Sequence, residues 1–322
     1  MSSHTVRIAI CATLISASYN SSVKAQSQDP GRQAVDEQIA KFQGALSRTD
    51  SSKPLTLPRG AVMTQEGQFT ITNGRPLAVA AKVLSQKLGV AISYEDPMWA
   101  SAADVTAVAM PPNYQSPFSR TPVAILEPRD RTFDFALASS ESLKGTRPES
   151  VIQAVISSYY RFQNSAEFKV ISLAGDQYSI AAVSAEDKSG QRIQQLLPLD
   201  VRITFPAEKR SLTGALDEIC RAVSRSGTTT LINASPDSLY KNNTYTNIGA
   251  NNETARDVLA KVLGPRSDAG LPPTGKYSWM VYSDPTNKTA VLNLYNVVVE
   301  VTRADGTKVL EDVTWAQNSP NK

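Results

Sequence analysis

The same order of predicted secondary structure occurs twice along this sequence. Each half begins with a strand, an amphipathic helix and a second strand, as the alternating and helical spacings of apolar residues indicate. These elements lie at 69–72, 77–88 and 90–94 in the first half, and at 201–205, 212–223 and 229–232 in the second. A repeat period on the order of 100 residues is typical of tandem domains and not of a solenoid.

Both halves then continue in the same way, with a long connection, a strand, a second helix and a hairpin. Pro148 opens one of these second helices, and Glu253-Thr254-Ala255 opens the other. A small sheet with two helices on one face is an α+β layer arrangement. The sequence therefore predicts an α+β fold of two tandem small-sheet domains, each covered by two helices in a duplicated βαβ…βαββ order.

A polar spacer at 184–191 separates the two expected domains, which we place at 63–183 and 192–316. Each is long enough to bury a hydrophobic core. Residues 26–62 combine a helical apolar stripe with a Ser/Thr/Pro-rich linker, and the stripe either packs on the first domain or docks on a partner. Residues 317–322 form a polar tail.

The N-terminus has the features of an export signal. Arg7 precedes an apolar run at 8–17, and Val23-Lys24-Ala25 offers the residues that a signal peptidase reads. The run is too short for a transmembrane anchor, which needs about 20 apolar residues. We therefore expect residues 1–25 to be a signal peptide. The mature chain would be periplasmic or secreted in a bacterium, with no transmembrane segment.

The scarcity of histidine and cysteine excludes several kinds of chemistry. The chain has one His and two Cys, and His4 and Cys11 lie in the expected signal peptide. The mature chain would keep only Cys220, which excludes Ser-His-Asp and Cys-His catalysis, histidine-ligated metals and an internal disulfide. Lys and Arg total 33 against 30 Asp and Glu, so there is no electrostatic case for nucleic acid. We expect no metal and no cofactor.

Acidic residues remain as the main candidates for catalysis. Glu95 and Asp96 follow a strand on opposite faces and cannot easily flank one substrate bond, so we expect a turn before Pro97. A second group of charges could bind a hard cation or an anion, but its spacing favours a solvated loop. Its members are Glu127, Asp130 and Asp134 with Arg120, Arg129 and Arg131.

Two further residue types have expected positions. Cys220 shares an apolar helical face with Leu216 and Val223, which favours a buried, inert thiol. Trp279 alternates with neighbouring apolar residues on a hairpin and is expected in the core. An irregular Pro-rich segment carries four large apolar side chains that either plug the first domain or form a partner surface. They are Met98, Trp99, Tyr114 and Phe118.

Three stretches of the second repeat carry a family resemblance: VRITFPAEKRSLTGALDEICRAV, NNETARDVLAKVLG and GKYSWMVYSDPTNKTAVLNL. Together they resemble the secretin/TonB short N-terminal domain over residues 201–295. That family opens with F-P-A-x-x-L-x-x-A-L. The matching residues here are Phe205, Pro206, Ala207, Leu212, Ala215 and Leu216, with Arg210 and Ser211 lengthening the spacer. FTITNGRPLAVAAKVLSQKLGVAISYEDP is a fainter relative within 68–183.

The resemblance implies a periplasmic module that makes protein–protein contacts ahead of secretin pores or TonB-dependent receptors. Because no barrel is expected after the second repeat, it implies a free-standing module and not a pore or receptor. We therefore expect a non-enzymatic protein-interaction module of a cell-envelope or secretion/transport machine, with an envelope partner such as a secretin or receptor component. The alternatives are a carboxylate-based envelope enzyme, such as a glycan hydrolase, and a protein that binds a small ligand or peptidoglycan.

Overall fold

The computed structural model describes residues 57–65, 67–99, 101–109, 124–138, 143, 145–162, 166–227, 229–235, 246–264 and 275–313. The expected signal peptide, Arg120, Tyr114, Phe118 and the tail at 317–322 lie outside these residues. The chain forms two compact units, and the larger comprises Ser51–Thr106 with Glu127–Lys322. The described residues of the other unit are 107–109 and 124–126, which belong to strands β4 and β5.

In the part of the first repeat that the structure describes, there are two helices and eight strands. Its helices are α1 (Pro76–Leu88) and α2 (Pro148–Tyr159). Its strands are β1 (Ala61–Gln65), β2 (Gln68–Asn73), β3 (Ala91–Glu95), β4 (Val105–Ala109), β5 (Ala124–Pro128), β6 (Arg131–Ala136), β7 (Ala166–Leu173) and β8 (Gln177–Glu186). A short strand, β9 (Arg192–Gln194), follows.

The second repeat has the same pair of helices and a closing hairpin. Its helices are α3 (Leu212–Arg225) and α4 (Ala255–Leu263). Its strands are β10 (Arg202–Arg210), β11 (Thr230–Asn233), β12 (Thr246–Thr254), β13 (Tyr277–Ser283) and β14 (Thr289–Asn296), after which β15 (Val298–Thr302) pairs with β16 (Lys308–Asp312). The fold is α+β, as predicted. Among the described helices, none has the length and apolarity that a membrane crossing requires.

The helix ends follow from residues that suit helix termini. Pro76 and Pro148 occupy the first helical positions, where the missing N–H costs nothing. Ser211 caps α3 by accepting the Gly214 N–H, and Thr254 caps α4 by accepting the Asp257 N–H. Gly89 ends α1 in the left-handed conformation, which glycine adopts without a side-chain clash.

The two repeats have the same strand topology, which confirms the duplicated order. In the first, β2 pairs antiparallel with β6, and β8 lies between a parallel β3 and an antiparallel β7. In the second, β10 pairs antiparallel with β12, and β14 lies between a parallel β11 and an antiparallel β13. Each repeat thus contributes three strands to one sheet and has a small sheet besides, which is two-stranded in the second repeat and is extended by β1, antiparallel to β2, in the first.

Instead of two separate three-stranded sheets, the structure has one continuous sheet. β3 pairs in parallel with β13 through Tyr94–Met280 and Glu95–Val281, which gives the order β11-β14-β13-β3-β8-β7. The expected spacer at 184–191 does not separate two sheets either. Its first residues belong to β8, which continues to Glu186 and pairs there with β9. The two halves of the chain therefore meet inside a shared sheet.

The helices of the two repeats cover opposite faces of this sheet. On β13, Met280 belongs to the core beneath α1 and α2, whereas Trp279 and Val281 belong to the core beneath α3 and α4. Successive strand residues point to opposite faces, so the two cores lie on opposite sides. Strand directions are reversed as well, because β11 runs antiparallel to β3. A half-turn about an axis across the strands, combined with a shift of three strands, relates the repeats.

Candidate functional site: the repeat joint and the sheet edges

The two repeats meet where β3 pairs with β13, and we call this region the joint. It contains a buried ion pair. Glu95 lies at the end of β3 on the face toward α4, and its side chain is fully buried. Arg256, in the first turn of α4, donates from Nε to Oε1 at 2.7 Å and from Nη2 to Oε2 at 2.6 Å. Ser179 of β8 donates its hydroxyl to Oε1 at 2.7 Å. This two-pronged pairing is the strong form of an arginine–carboxylate contact and fixes both groups.

Arg256 holds a second carboxylate. Its Nη1 donates to Asp200 Oδ1 at 2.6 Å, and Asp200 Oδ2 accepts the Leu197 N–H at 3.0 Å. Burial would lower the pKa of Arg256, but the two carboxylates more than offset that, so its pKa is raised. The guanidinium is therefore charged and links the segment that joins the repeats to β3.

Asp96 forms a second buried contact on the other side of the joint. Its Oδ2 accepts hydrogen bonds from Arg75 Nε at 2.6 Å, the Ser283 N–H at 3.0 Å and Trp99 Nε1 at 3.1 Å. Asp96 Oδ1 is buried and has no hydrogen-bond partner among the described residues. Arg75 also donates to the Ser283 carbonyl oxygen at 3.2 Å. The Asp96 carboxylate thus links Arg75, just before α1, to Ser283 at the end of β13.

At Glu95 and Asp96 a turn before Pro97 was expected, but the chain ends β3 at Glu95 and has no turn at Asp96 or Pro97. Both residues are fully buried, and each carboxylate is bound by an arginine. Their placement on opposite sides agrees with the alternation of strand residues. A carboxylate that is buried against an arginine is not open to a substrate.

The second group of charges is only partly solvated. Arg131 is paired with the buried Asp104 at 2.5 Å, and Arg129 donates to the Val105 carbonyl oxygen at 3.2 Å. Asp134 is exposed and accepts the Thr70 hydroxyl at 2.6 Å. Glu127 and Asp130 are exposed. In the part of the chain that the structure describes, no three His, Cys, Asp or Glu residues are placed to hold a metal ion.

Cys220 and Trp279 are both core residues, as expected. Cys220 lies on the buried face of α3, and burial raises the pKa of its thiol far above the ordinary range. A thiol in that state is a weak nucleophile. Trp279 is fully buried beneath α3 and α4.

Two of the four residues expected either to plug the first domain or to form a partner surface are described, Met98 and Trp99, and both are half-buried. The side-chain amide of Gln195 accepts the Met98 N–H at 2.9 Å and donates to the Met98 carbonyl oxygen at 3.1 Å. Trp99 donates its indole N–H to Asp96, which ties it to the joint. Leu196, next to Gln195, is 58% exposed. This region therefore presents a small apolar surface beside the joint.

At each outer edge of the central sheet, a side-chain hydroxyl group binds the backbone of the edge strand. At the β7 edge, the Tyr160 hydroxyl accepts the Phe168 N–H and donates to the Phe168 carbonyl oxygen, both at 2.5 Å. At the β11 edge, the Ser224 hydroxyl accepts the Leu231 N–H at 2.9 Å. An unpaired edge strand is a template for association with another chain. These contacts, which we call edge seals, occupy part of that template.

The small sheets differ in how their edges are protected. β10 contains Pro206, which has no N–H, and its register with β12 shifts twice. Prolines, bulges and charges are common devices that discourage strand addition. β6 presents exposed polar positions at its outer edge, including the charged Asp134. β1 differs, because Val62 is 59% exposed and Met63 is 44% exposed.

Sequence reasoning missed the joint and the edge seals. A signal for the Ser224 seal does exist, since Ser224 precedes by seven residues the strand residue whose N–H it accepts, Leu231, and Ser85 stands in the same relation to Ile92 of the interior strand β3. The only sequence signal for the joint is the adjacent pair Glu95-Asp96, which also suits a turn. Neither a family model, nor a curated protein, nor a solved structure matches this chain.

Proposed function

We propose that this protein is a non-enzymatic, exported interaction module that receives an extended segment of an envelope protein as an added strand at β1. The observation that carries the proposal is the apolar edge of β1, where Val62 and Met63 are exposed and no described strand pairs on the side away from β2. Strand addition supplies affinity through backbone hydrogen bonds and specificity through alternate side chains.

The hydrogen-bond pattern of β1 supports this mode of binding. The Thr72 N–H donates to the Gly60 carbonyl oxygen at 2.9 Å, and Val62 lies opposite Thr70. In an antiparallel pair, hydrogen-bonded and non-hydrogen-bonded positions alternate. The backbone groups of Val62 therefore turn toward β2, and those of Met63 turn outward. An incoming strand would pair at Met63 and pack against its neighbours.

The bound state of the acids supports a non-enzymatic role. Glu95, Asp96 and Asp104, the buried candidates for acid–base chemistry, each pair with an arginine. A carboxylate-based enzyme needs an acid that reaches its substrate, and these three are buried against their arginines.

The proposed location and partner rest on the sequence. The export signal over residues 1–25 favours a periplasmic or secreted protein. The resemblance of residues 201–295 to the secretin/TonB short N-terminal domain favours a partner in an envelope machine, such as a secretin or receptor component. Members of that family make protein contacts in the periplasm.

The test is site-specific photo-crosslinking in living cells. A photoreactive residue at Val62 is expected to capture one envelope protein, and the same residue at exposed Thr132 on the β6 edge serves as the control. Adding Met63→Pro, which removes the outward N–H, should abolish the Val62 product while the protein still melts cooperatively. Equal products at both edges, or a Val62 product that survives Met63→Pro, would contradict strand addition at β1.

A further inference from the structure

The small sheet β1-β2-β6 has one face against a core and one face toward solvent. Residues that pair across antiparallel strands carry their side chains on the same face. Phe69 and Ile71 of β2 and their partners on β6 belong to the core beneath α1 and α2, and we call their side of the sheet the inner face. Two rows of apolar residues cross the inner face from β1 to β6: Ala61 with Ile71 and Phe133, and Met63 with Phe69 and Phe135.

The row that contains Met63 loses its cover at the edge of the sheet. Phe69 is 2% exposed and Phe135 is 3% exposed, and their rings stack with centres 5.3 Å apart. Met63 is 44% exposed, although it lies in the same row. An apolar side chain placed beyond Met63 on the inner face would remove both groups from water, which is favourable. The inner face therefore favours an apolar residue at the next position outward.

The opposite side of this sheet, which we call the outer face, is mostly polar. Val62 lies there opposite Thr70, whose hydroxyl donates to Asp134 at 2.6 Å. The hydroxyls of Thr72 and Thr132 share a hydrogen bond of 2.8 Å, and both residues are exposed. A large apolar residue added to this face would stay in contact with water and gain little. The outer face therefore favours a residue such as threonine, whose methyl group can contact Val62 while its hydroxyl stays hydrated.

The backbone of β1 determines which residue of an incoming strand meets each face. The N–H and carbonyl groups of Met63 turn outward, so an antiparallel strand forms a hydrogen-bonded pair there, with one of its residues directly opposite Met63. The side chain of that residue lies on the inner face, as that of Met63 does. The residues before and after it point to the outer face, and the one opposite Ala61 returns to the inner face. The two faces of the sheet thus read alternate residues of the strand.

We infer that β1 selects an extended segment in which large apolar residues alternate with threonine or serine. The apolar residues would lie on the inner face beside Met63 and Ala61, and the hydroxyl residues would lie on the outer face beside Val62. This inference rests on the proposed strand addition at β1 and names the kind of segment that is received. The partner is therefore expected to present an amphipathic strand, and not a segment that is apolar or polar throughout.

The test measures binding of two labelled synthetic peptides to the full chain by fluorescence anisotropy. Both contain equal numbers of Leu and Thr between terminal lysines, which keep them soluble. In one peptide Leu and Thr alternate, and in the other they follow one another as Leu-Leu-Thr-Thr doublets. A strand of the alternating peptide carries all its leucines on one face, whereas the doublets divide them between both faces. The alternating peptide is expected to bind at least about tenfold more tightly, because one further leucine leaves water on the inner face.

Variants of the protein separate the two faces. Met63→Thr removes the apolar neighbour on the inner face and should weaken binding of the alternating peptide about tenfold. Val62→Thr makes a similar change on the outer face and should weaken it by no more than about twofold. Val108→Thr replaces an exposed valine of β4, away from this sheet, and is the control for the loss of an exposed apolar side chain. The peptide comparison uses the unmodified protein, so it decides even where Met63→Thr does not fold.

The outcomes distinguish this inference from the proposed function. If Met63→Pro abolishes binding but both peptides bind equally, or Val62→Thr weakens binding as much as Met63→Thr does, the selection of an alternating segment is overturned and strand addition at β1 stands. Binding that persists in Met63→Pro would overturn both. A concentration-dependent dimer of the free protein that Met63→Pro disrupts would overturn the inference in favour of a second copy at this edge.

Discussion

The two repeats share a strand topology, but of each pair of equivalent strand edges one is paired inside the sheet and the other lies at its outside. β3 and β11 are equivalent strands, and in both a serine seven residues upstream accepts the N–H of a buried residue, Ile92 or Leu231. Beyond that point β3 joins β13, whereas β11 pairs with no strand but β14 among those described. Likewise β13 is joined, while its equivalent β7 is sealed by Tyr160. The two repeats therefore have the same strand topology, and their side chains determine which edges pair.

Charge distinguishes the joined edge from the free one. Three residues after Ile92, β3 places Glu95, whereas three residues after Leu231 the chain has Ala234. The second residue of α4 is Arg256, and the second residue of α2 is Glu149. At the outer edges, therefore, neither the glutamate nor the arginine of this ion pair has a counterpart at the equivalent position. This difference teaches that a buried charge pair can specify one pairing among similar edges.

Breaking the ion pair should have the largest effect. Arg256→Met leaves Glu95 buried with Ser179 as its remaining hydrogen-bond donor, and we expect a loss of about 3–5 kcal/mol in the free energy of unfolding. Glu149→Met, at the equivalent position of α2, should change it by less than about 0.5 kcal/mol. Denaturant unfolding followed by circular dichroism measures both. Adding Glu95→Gln to Arg256→Met should recover part of the loss, and similar losses from the two single variants would contradict the comparison.

Removing the serine hydroxyls should have an intermediate effect. Ser85→Ala leaves the Ile92 N–H buried without its acceptor, and we expect a loss of about 1–3 kcal/mol. Ser224→Ala should cost less, about 1 kcal/mol, because the β11 edge is not covered by another described strand and water can reach it. Ser157→Ala, an exposed hydroxyl on α2, is the control for thermal melts. Equal losses for Ser224→Ala and Ser85→Ala would show that the two edges are equally enclosed, and a larger loss for Ser224→Ala would contradict the comparison.

Removing the Tyr160 seal should have the smallest effect on stability. Tyr160→Phe deletes two hydrogen bonds at a half-exposed position, and we expect a loss of about 1 kcal/mol. The Phe168 N–H and carbonyl then become available to another chain, so light scattering should detect association that increases with concentration. Tyr178→Phe, on the adjacent β8, should scatter as the unmodified protein does. If Tyr160→Phe also remained unassociated, the seal would have no role in protecting the edge.

The sequence predicted the elements well because their signals are local. α3 was expected at 212–223 and spans Leu212–Arg225, and Cys220 lies on its buried face. β12 was harder, since its apolar pattern ends at Ile248 while the strand continues to Thr254. The polar residues there stay extended because they pair with β10, as Thr254 does with Arg202. Cross-strand hydrogen bonds outweighed the local pattern.

The joint could not be predicted, because it depends on residues far apart in sequence. Glu95 and Arg256 are separated by 161 positions, and nothing in the local pattern of either indicates the other. Periodicity predicts that β3 and β13 are strands, but not which edges they share. The edge seals were missed for a related reason. A serine near the end of a helix usually satisfies a local backbone group, as Ser157 does on α2.

The half-turn that relates the repeats has a consequence for assembly. It joins unlike edges, β3 to β13, so the contact is heterologous and the operation does not close on itself. Applied again, it would set β11 of one molecule against β7 of the next and continue without limit as a fibre. Tyr160 and Ser224 bind backbone groups at those two ends, and by occupying them these hydroxyls oppose the addition of a further copy.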